Sequence, residues 1–264
     1  MNFRPALLGI VVVLVAVPLQ AQWLNHTTPG IPRTADGKPN LSAPAPRTAD
    51  GKPDLSGLWN RISPKYARNI AADLKPEEIQ PWARALVDER TEDLGRGYMN
   101  VLCVPLGPSY TTIADSTGAE QMKIVQTPAL ILILNPDLTY RQIFMDGRKL
   151  ETGGDPSWMG YSVGHWEGET LVVESNGFKD KTWLDHDGHP HTEALQMTER
   201  YRRSNFGNMD IEVTFSDPGR LHATLDSECS RNACAGYRDD RIRLQRKPHR
   251  DGTLGGQGLR RENT

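Results

Sequence analysis

Short segments of alternating polar and apolar residues fill the second half of the chain, separated by turn-forming residues. Alternate side chains of a strand point to opposite faces, so this period of two predicts half-buried β-strands. About eight to ten antiparallel strands at such short spacing favour a β-barrel, with a β-sandwich as the alternative. The segments are QMKIVQT, ALILILN, LTYRQIF, GHWEGETLVVE, ALQMTERYRR, NMDIEVTF, RLHATLD and GYRDDRIRLQR.

One helix is predicted near residues 76–94, before the strands. Pro76 suits a first helical position, and Pro81 predicts that the regular part of the helix begins there. Gly95 follows the segment, as is typical of a helix end. An apolar stripe at helical spacing consists of Ile79, Trp82, Leu86 and Val87.

Residues 1–21 have the pattern of a secretory signal peptide. Arg4 gives a positive start, an apolar segment follows, and Ala21 precedes the expected cleavage site. The apolar run is shorter than the ~20 residues that span a bilayer, which disfavours the alternative of an uncleaved membrane anchor. We therefore expect an exported protein, periplasmic or secreted, without stable membrane insertion.

Residues 22–56 contain a tandem repeat, PRTADGKPNLS at 32–42 and PRTADGKPDLS at 46–56. Proline, glycine and small polar residues offer little apolar surface to bury, so we expect a disordered linker. The barrel domain, residues 57–246, follows and includes the helix. We expect the Gly- and Arg-rich residues 247–264 to form a disordered tail.

Three cysteines follow the signal segment, Cys103, Cys229 and Cys234. Disulfides form in exported compartments, and an odd count leaves one thiol unpaired. Cys229 with Cys234 would close a small loop, whereas Cys103 with Cys229 would join distant segments. The spacing leaves both pairings open.

The segment ALQMTERYRR places a carboxylate on an apolar strand face. Met197, Glu199 and Tyr201 alternate with polar residues, so their face should point inward. A buried carboxylate is costly unless it is paired, hydrogen-bonded or protonated. Glu199 is therefore the candidate general acid or base. The alternative is a structural ion pair with an inward-facing arginine, such as Arg141 or Arg148.

Upstream of this strand, DHDGHPHTE is rich in groups that titrate or bind metals. His189, His191 and Glu193 share the parity of Glu199 if the strand extends backwards. The two histidines and Asp185 are candidate catalytic partners of Glu199. Two alternatives are a site for a divalent metal such as zinc and an exposed polar turn, which the Asp-Gly pair favours. We expect neither a metal nor another cofactor.

Further candidate ligand contacts lie in other segments. Asp146 and Arg148 either contact a ligand or form an exposed ion pair at a turn. The aromatic residues of SWMGYSVGHW either stack on a ligand or belong to the core. The candidate ligand-binding side chains are Asp146, Arg148, Trp158, Tyr161, Trp166, Glu193, Met197 and Tyr201.

Charge and absent motifs disfavour several function classes. The formal net charge is −2, from 31 basic and 33 acidic residues, so no basic surface for nucleic acid is expected. The sequence has no Gly-x-Ser-x-Gly elbow, no phosphate-binding or dinucleotide-binding glycine motif and no His-Glu-x-x-His. These absences disfavour serine-hydrolase and redox-cofactor chemistry.

The segments MKIVQTPALILIL, SWMGYSVGHWEGETLVVES, DKTWLD and MTERYRR resemble a widespread family of uncharacterised secreted bacterial proteins. The resemblance covers residues 54–237 and implies a lipocalin-like barrel. The segment 57–59, Gly-Leu-Trp, is similar to the Gly-x-Trp start of such barrels, where the Trp closes one end. The family typically has an Asp where this chain has Tyr161. The resemblance also implies a Cys103–Cys229 disulfide, with Cys234 as the extra thiol.

Three functions are consistent with these features. The first is an exported barrel that binds a small, largely apolar organic molecule in its cavity, with Glu199 at the floor. The second is a cofactor-free or metal-assisted hydrolase, hydratase or isomerase that uses Glu199 with His189 or His191. The third is a structural envelope protein with a filled barrel. The expected partner is a small molecule.

Overall fold

The computed structural model describes residues 30–61, 69–71, 74–99, 101–107, 112, 121–218 and 242–246. All of these except Gly30 and Ile31 belong to one compact unit, Pro32–Lys247. A 3-10 turn, Pro76–Glu78, precedes helix α1, Pro81–Glu92. The strands are β1 Gly57–Arg61, β2 Gln121–Gln126, β3 Leu130–Leu134, β4 Tyr140–Phe144, β5 Tyr161–Glu167, β6 Thr170–Asn176, β7 Gln196–Arg203, β8 Asn208–Ser216 and β9 Ile242–Arg246.

The strands form a curled, barrel-like sheet in which each pairs with the next along the chain, and β9 pairs with both β8 and β1. The prediction of a mainly β, barrel-like fold with one helix is thereby confirmed. The predicted antiparallel arrangement is wrong at one place. Strands β4 and β5 are parallel, with Ile143 opposite Ser162 and Phe144 opposite Val163.

A close approach between β4 and β5 explains why a glycine lies in the middle of β5. A Cβ atom on Gly164 would lie 2.6 Å from Met145 Sδ and 2.9 Å from Ile143 Cγ2. Cβ atoms essentially never approach so closely, so the packing of Ile143, and of Met145 just after β4, favours glycine there. The chain between these strands, residues 145–160, must cross the end of the sheet so that β5 can run parallel to β4.

The inner face of the sheet carries one apolar core. Its side chains come from the segment before β1 and from most of the strands, and they include Trp59, Ile143, Leu171, Met197 and Tyr201. Trp59 is fully buried, and its indole N–H donates to the carbonyl of Leu55 at 2.9 Å. The guanidinium of Arg203 lies 4.9 Å from the centre of the Trp59 ring. The alternating burial of β2, β3, β4, β7 and β8 matches the predicted strand periodicity.

Helix α1 confirms the predicted start at Pro81 and ends three residues before Gly95. Its predicted apolar stripe is only partly correct. Ile79 is buried, together with Ala83, but Trp82 is 42 % exposed. Leu86 and Val87 are half-buried, so the predicted stripe is covered only in part.

Each copy of the tandem repeat, which lies in the segment expected to be a disordered linker, forms a hydrogen-bonded turn in the structure. In each copy, a turn pairs an arginine with the proline six residues later in an isolated β-bridge. The pairs are Arg33 with Pro39 and Arg47 with Pro53. In each copy the threonine hydroxyl also donates to the lysine carbonyl at 3.0 Å. Backbone and side-chain hydrogen bonds within each turn, rather than apolar burial alone, hold these copies.

Several predictions fall on residues outside the described part of the chain. These are the signal peptide 1–21, the strand RLHATLD, the cysteines Cys229 and Cys234, and the tail 247–264. Cys103 is a free, exposed thiol in the structure, and the disulfide therefore stays a prediction. No helix in the described part is long and apolar enough to cross a membrane.

Candidate functional site

Glu199 lies on the inner face of β7, as the strand parity predicts. The burial of β7 alternates, with Met197, Glu199, Tyr201 and Arg203 buried and the residues between them more exposed. Glu199 is opposite Val173 of β6 and Val213 of β8, both apolar. Its side chain has no exposed surface.

Glu199 forms a buried ion pair with Arg141 of β4, whose Nη2 donates to Glu199 Oε2. The other carboxylate oxygen accepts hydrogen bonds from the hydroxyls of Tyr201 at 2.8 Å and Thr112 at 3.2 Å. The carboxylate thus has an opposite charge and three hydrogen-bond donors. This is the arrangement that a structural ion pair requires. Arg141 is one of the two arginines named above as alternative partners of Glu199.

Arg141 is in turn held by two serines from neighbouring strands. Its Nε donates to Ser162 Oγ at 2.9 Å, and its Nη2 donates to Ser175 Oγ at 2.6 Å. The two serines are opposite each other on β5 and β6, and Ser175 donates to Ser162 at 2.9 Å. Arg141 Nη1 is buried without a hydrogen-bond partner among the described residues. Sequence reasoning missed both serines, although their parity on β5 and β6 marks them as inward-facing.

The buried network shifts two pKa values. Burial lowers the pKa of the Arg141 guanidinium, but the charge and hydrogen bond of Glu199 raise it more, so the net shift is upward. Burial raises the pKa of the Tyr201 phenol well above its usual value of 10.0, and the Glu199 charge raises it further. Arg141 therefore stays cationic and Tyr201 stays protonated at neutral pH, as a stable hydrogen-bond donor to Glu199.

The histidines belong to networks separate from that of Glu199. Asp185 Oδ2 lies 2.6 Å from His189 Nδ1, and both residues are buried. His191 is buried too, with Nε2 2.7 Å from Thr182 Oγ1 and Nδ1 2.9 Å from the carbonyl of Thr192. The predicted catalytic pairing of Glu199 with either histidine is therefore not formed.

Metal binding by the two histidines is also not supported by their geometry. Both ring nitrogens of His191 already have protein partners, and Nδ1 of His189 contacts Asp185. Within the described segments, no group of three or more His, Cys, Asp and Glu side chains is arranged to hold a metal ion.

A cavity of 610 Å³ lies at the end of the sheet where the chain crosses from β4 to β5. Its walls come from the crossing segment 148–156, the start of β5 and residues 193–196 before β7. Three of the predicted ligand contacts line it, namely Arg148, Tyr161 and Glu193. Ser162 lines it as well, which links the cavity to Arg141 behind it.

Arg148 and Tyr161 are held in place at the cavity. The guanidinium of Arg148 lies 3.8 Å from the centre of the Phe144 ring and pairs with Asp146 at 2.6 Å. This exposed pair lowers the pKa of Asp146, mainly through the hydrogen bond from Arg148. The Tyr161 hydroxyl donates to the carbonyl of Asp155 at 2.8 Å.

The remaining predicted contacts do not line the cavity. Trp158 is half-buried beneath Lys179, whose Nζ lies 5.0 Å from the ring centre. Trp166 is partly buried and packs against the core, where Met197 and Tyr201 also lie. The cavity walls at 149–156 were not predicted from the sequence, because that segment has neither strand nor helix periodicity.

The chain matches no model of a protein family and no curated protein.

Proposed function

We propose that this protein binds a small organic molecule in the 610 Å³ cavity at the β4–β5 crossing. The cavity itself is the observation that carries the proposal, since its volume lies in the range of ~300–1,000 Å³ typical of ligand sites. Its position at the end of the sheet also fits, because barrel mouths are common places for such sites.

The lining suits a ligand with an apolar body and a polar group. Phe144, Val163 and Leu195 offer apolar surface, and Tyr161 adds an aromatic ring. Lys149 lies on the rim and has no ion-pair partner among the described residues. A few charged groups around an apolar site orient a ligand, while burial of its apolar surface supplies most of the affinity.

The ligand site lies outside the centre of the sheet. There the apolar core surrounds the Arg141–Glu199 pair, and both side chains are buried. This supports binding at the end of the sheet in preference to the site first expected around Glu199. It also separates the proposal from a fully filled structural barrel, since that alternative leaves the 610 Å³ cavity without a role.

We propose further that the fold is lipocalin-like and that the protein is exported. Trp59 closes one part of the core and packs beneath Arg203, which supports a lipocalin-like fold. The signal-peptide pattern of residues 1–21 supports export.

Binding of 1-anilinonaphthalene-8-sulfonate tests the proposal, because this probe carries an apolar aromatic body and one anionic group. We expect one saturable site on the folded protein. Ala194, an exposed residue on the cavity wall, is the position to block. Ala194→Trp should weaken probe binding at least about tenfold, because the indole occupies the volume that the probe needs.

The matched control is Ala129→Trp. Ala129 is also exposed but does not line the cavity. The proposal fails if Ala194→Trp binds the probe as the unmodified protein does, or if both variants weaken binding equally. Thermal unfolding of each variant shows whether it is folded. A native mass spectrum of protein from its own host identifies any retained ligand.

A further inference from the structure

Asp185 and His189 form a buried acid–imidazole pair in the loop between β6 and β7. Asp185 Oδ2 lies 2.6 Å from His189 Nδ1, and Asp185 Oδ1 accepts the backbone N–H of His189 at 3.0 Å. The same carboxylate accepts the backbone N–H of Ile70 at 2.6 Å. Three contacts therefore fix the carboxylate, and through it the imidazole ring.

Helix α1 holds this loop from the other side. Arg90 Nη1 donates to the carbonyl of Gly188, and the Arg90 guanidinium lies 4.7 Å from the centre of the Trp183 ring. Gly188 has a positive φ of 87°, and an added Cβ would lie 3.0 Å from Arg90 Cδ. The approach of the helix to the loop is thus close enough to favour glycine at this position.

A cleft of 310 Å³ lies between helix α1 and His189. Its lining consists of Pro81, Arg84, Ala85, Val87, Asp88 and His189. The Nε2 atom of His189 has no hydrogen-bond partner among the described residues. Arg84 likewise has no ion-pair partner within that part of the chain. The cleft therefore combines an oriented imidazole, an available cation and apolar surface.

We propose that this cleft is a general-base site for the hydrolysis of small acyl esters, with Asp185 and His189 as its dyad. The proposal is independent of ligand binding in the 610 Å³ cavity, since the two sites share no lining residue. An imidazole whose Nδ1 hydrogen-bonds a carboxylate has its Nε2 lone pair available as a base.

The chemistry balances without a cofactor. His189 Nε2 takes a proton from water while the water oxygen bonds to the acyl carbon, and the carbonyl π electrons move to its oxygen. Arg84 stabilises this oxyanion. The intermediate then breaks the ester C–O bond, and the proton on Nε2 passes to the departing alkoxide. Asp185 stabilises the transient imidazolium, and the products are a carboxylic acid and an alcohol.

Hydrolysis of p-nitrophenyl acetate by the full chain tests the proposal. General-base catalysis contributes about 10²- to 10⁴-fold, so His189→Gln should lower the second-order rate constant about 100-fold. Glutamine keeps a polar group near Asp185 and thus limits the damage to the loop. The matched control is His165→Gln, because His165 is 51 % exposed and lies on β5, away from the cleft.

A second variant keeps the test valid if His189→Gln fails to fold. Ala85→Phe places a ring in the cleft and leaves both residues of the dyad unchanged, because Ala85 is an exposed residue of α1 that lines the cleft. It should lower the rate at least about tenfold, since it excludes the ester. Glu92→Phe on the same helix is its control. Equal rates for Ala85→Phe and Glu92→Phe, or an unchanged rate for folded His189→Gln, would overturn the proposal.

Discussion

At the scale of single residues, the Glu199 carboxylate is neutralised as completely as a buried charge can be. It faces the Arg141 guanidinium and accepts hydrogen bonds from Thr112 and Tyr201. Desolvation of two charges costs several kcal/mol, and only such a complete set of contacts offsets it. The environment favours a structural ion pair over a catalytic acid, which would need access to a substrate.

Arg141→Met should lower the free energy of unfolding by about 3–5 kcal/mol, because it leaves the buried Glu199 without its counter-charge. The double variant Arg141→Met/Glu199→Leu should be more stable than Arg141→Met, since no unpaired charge remains. Urea denaturation of the unmodified protein, both single variants and the double variant gives the coupling free energy.

The exposed pair of Arg200 and Glu167 is the matched control. Their side chains are 39 % and 50 % exposed, and their nearest charged atoms lie 2.6 Å apart. Solvent screens this pair, so the corresponding cycle should show little coupling. If the buried pair and the exposed pair gave equal coupling free energies, burial would not be the cause of the strong interaction between Arg141 and Glu199.

Strand parity predicted the position of Glu199 but could not identify the network formed by Arg141, its ion-pair partner, and the two serines that Arg141 contacts. Arg141, Ser162 and Ser175 lie on three other strands, and their meeting depends on sheet register and curl. Those properties come from pairings between residues far apart in the sequence. Parity also extended the β7 face back to His189 and His191, but β7 begins at Gln196 and both histidines lie in a loop.

At the scale of elements, the two copies of the repeat have nearly the same sequence and different surroundings. The second copy docks through Leu55, which belongs to the core, and through a bidentate pair between Arg47 and Glu169 at 2.7 and 3.1 Å. In the first copy, Leu41 is only partly buried, and its carbonyl accepts the backbone N–H of Gly207 at 2.8 Å. Position relative to the sheet decides what each copy contributes.

Leu55→Ala should therefore destabilise the protein by about 2–5 kcal/mol, the usual cost of removing a buried leucine side chain. Leu41→Ala makes the same chemical change at the equivalent position of the first copy. Because Leu41 buries less surface, Leu41→Ala should lower the free energy of unfolding by under about 1 kcal/mol. Chemical denaturation of both variants measures the difference, and similar losses would show that the copies contribute equally.

The elements that the sequence mispredicted are those whose structure depends on partners elsewhere. The strands were recognised because burial of one face imposes a local period of two. The repeat lacks that period, and it is held partly by docking on Gln126 and Arg203. The parallel β4–β5 pair has no local signature either, since the same alternation suits both strand directions.

At the scale of the whole molecule, polar groups connect the core to the cavity. Ser162 lines the cavity and accepts from Arg141, which pairs with Glu199, and Glu199 accepts from Tyr201 on the same strand. The chain of contacts crosses an otherwise apolar interior. A change in the protonation of one member should therefore alter the stability of the entire fold.

The variant Tyr201→Phe tests, at alkaline pH, whether the protonation of this network affects the stability of the fold. The pKa of Tyr201 is raised in the folded state above its usual value of 10.0, by burial and by Glu199. The unfolded chain therefore releases this proton first as pH rises above 10.0, and stability falls by about 1.4 kcal/mol per pH unit for this group. Near pH 8, Tyr201→Phe should lower the free energy of unfolding by about 1.5–3 kcal/mol, because the hydrogen bond to Glu199 is lost. Above pH 10, the stability of this variant should fall less steeply with pH than that of the unmodified protein.

Tyr140→Phe separates this effect from general alkaline unfolding. Tyr140 is 55 % exposed, so its replacement should leave both the stability near pH 8 and the alkaline slope nearly unchanged. Urea denaturation of the three proteins between pH 8 and 11 measures each slope. If Tyr201→Phe loses stability above pH 10 as steeply as Tyr140→Phe, then Tyr201 does not retain its proton in the folded state. The network would then lack the protonated donor that stabilises Glu199 within the core.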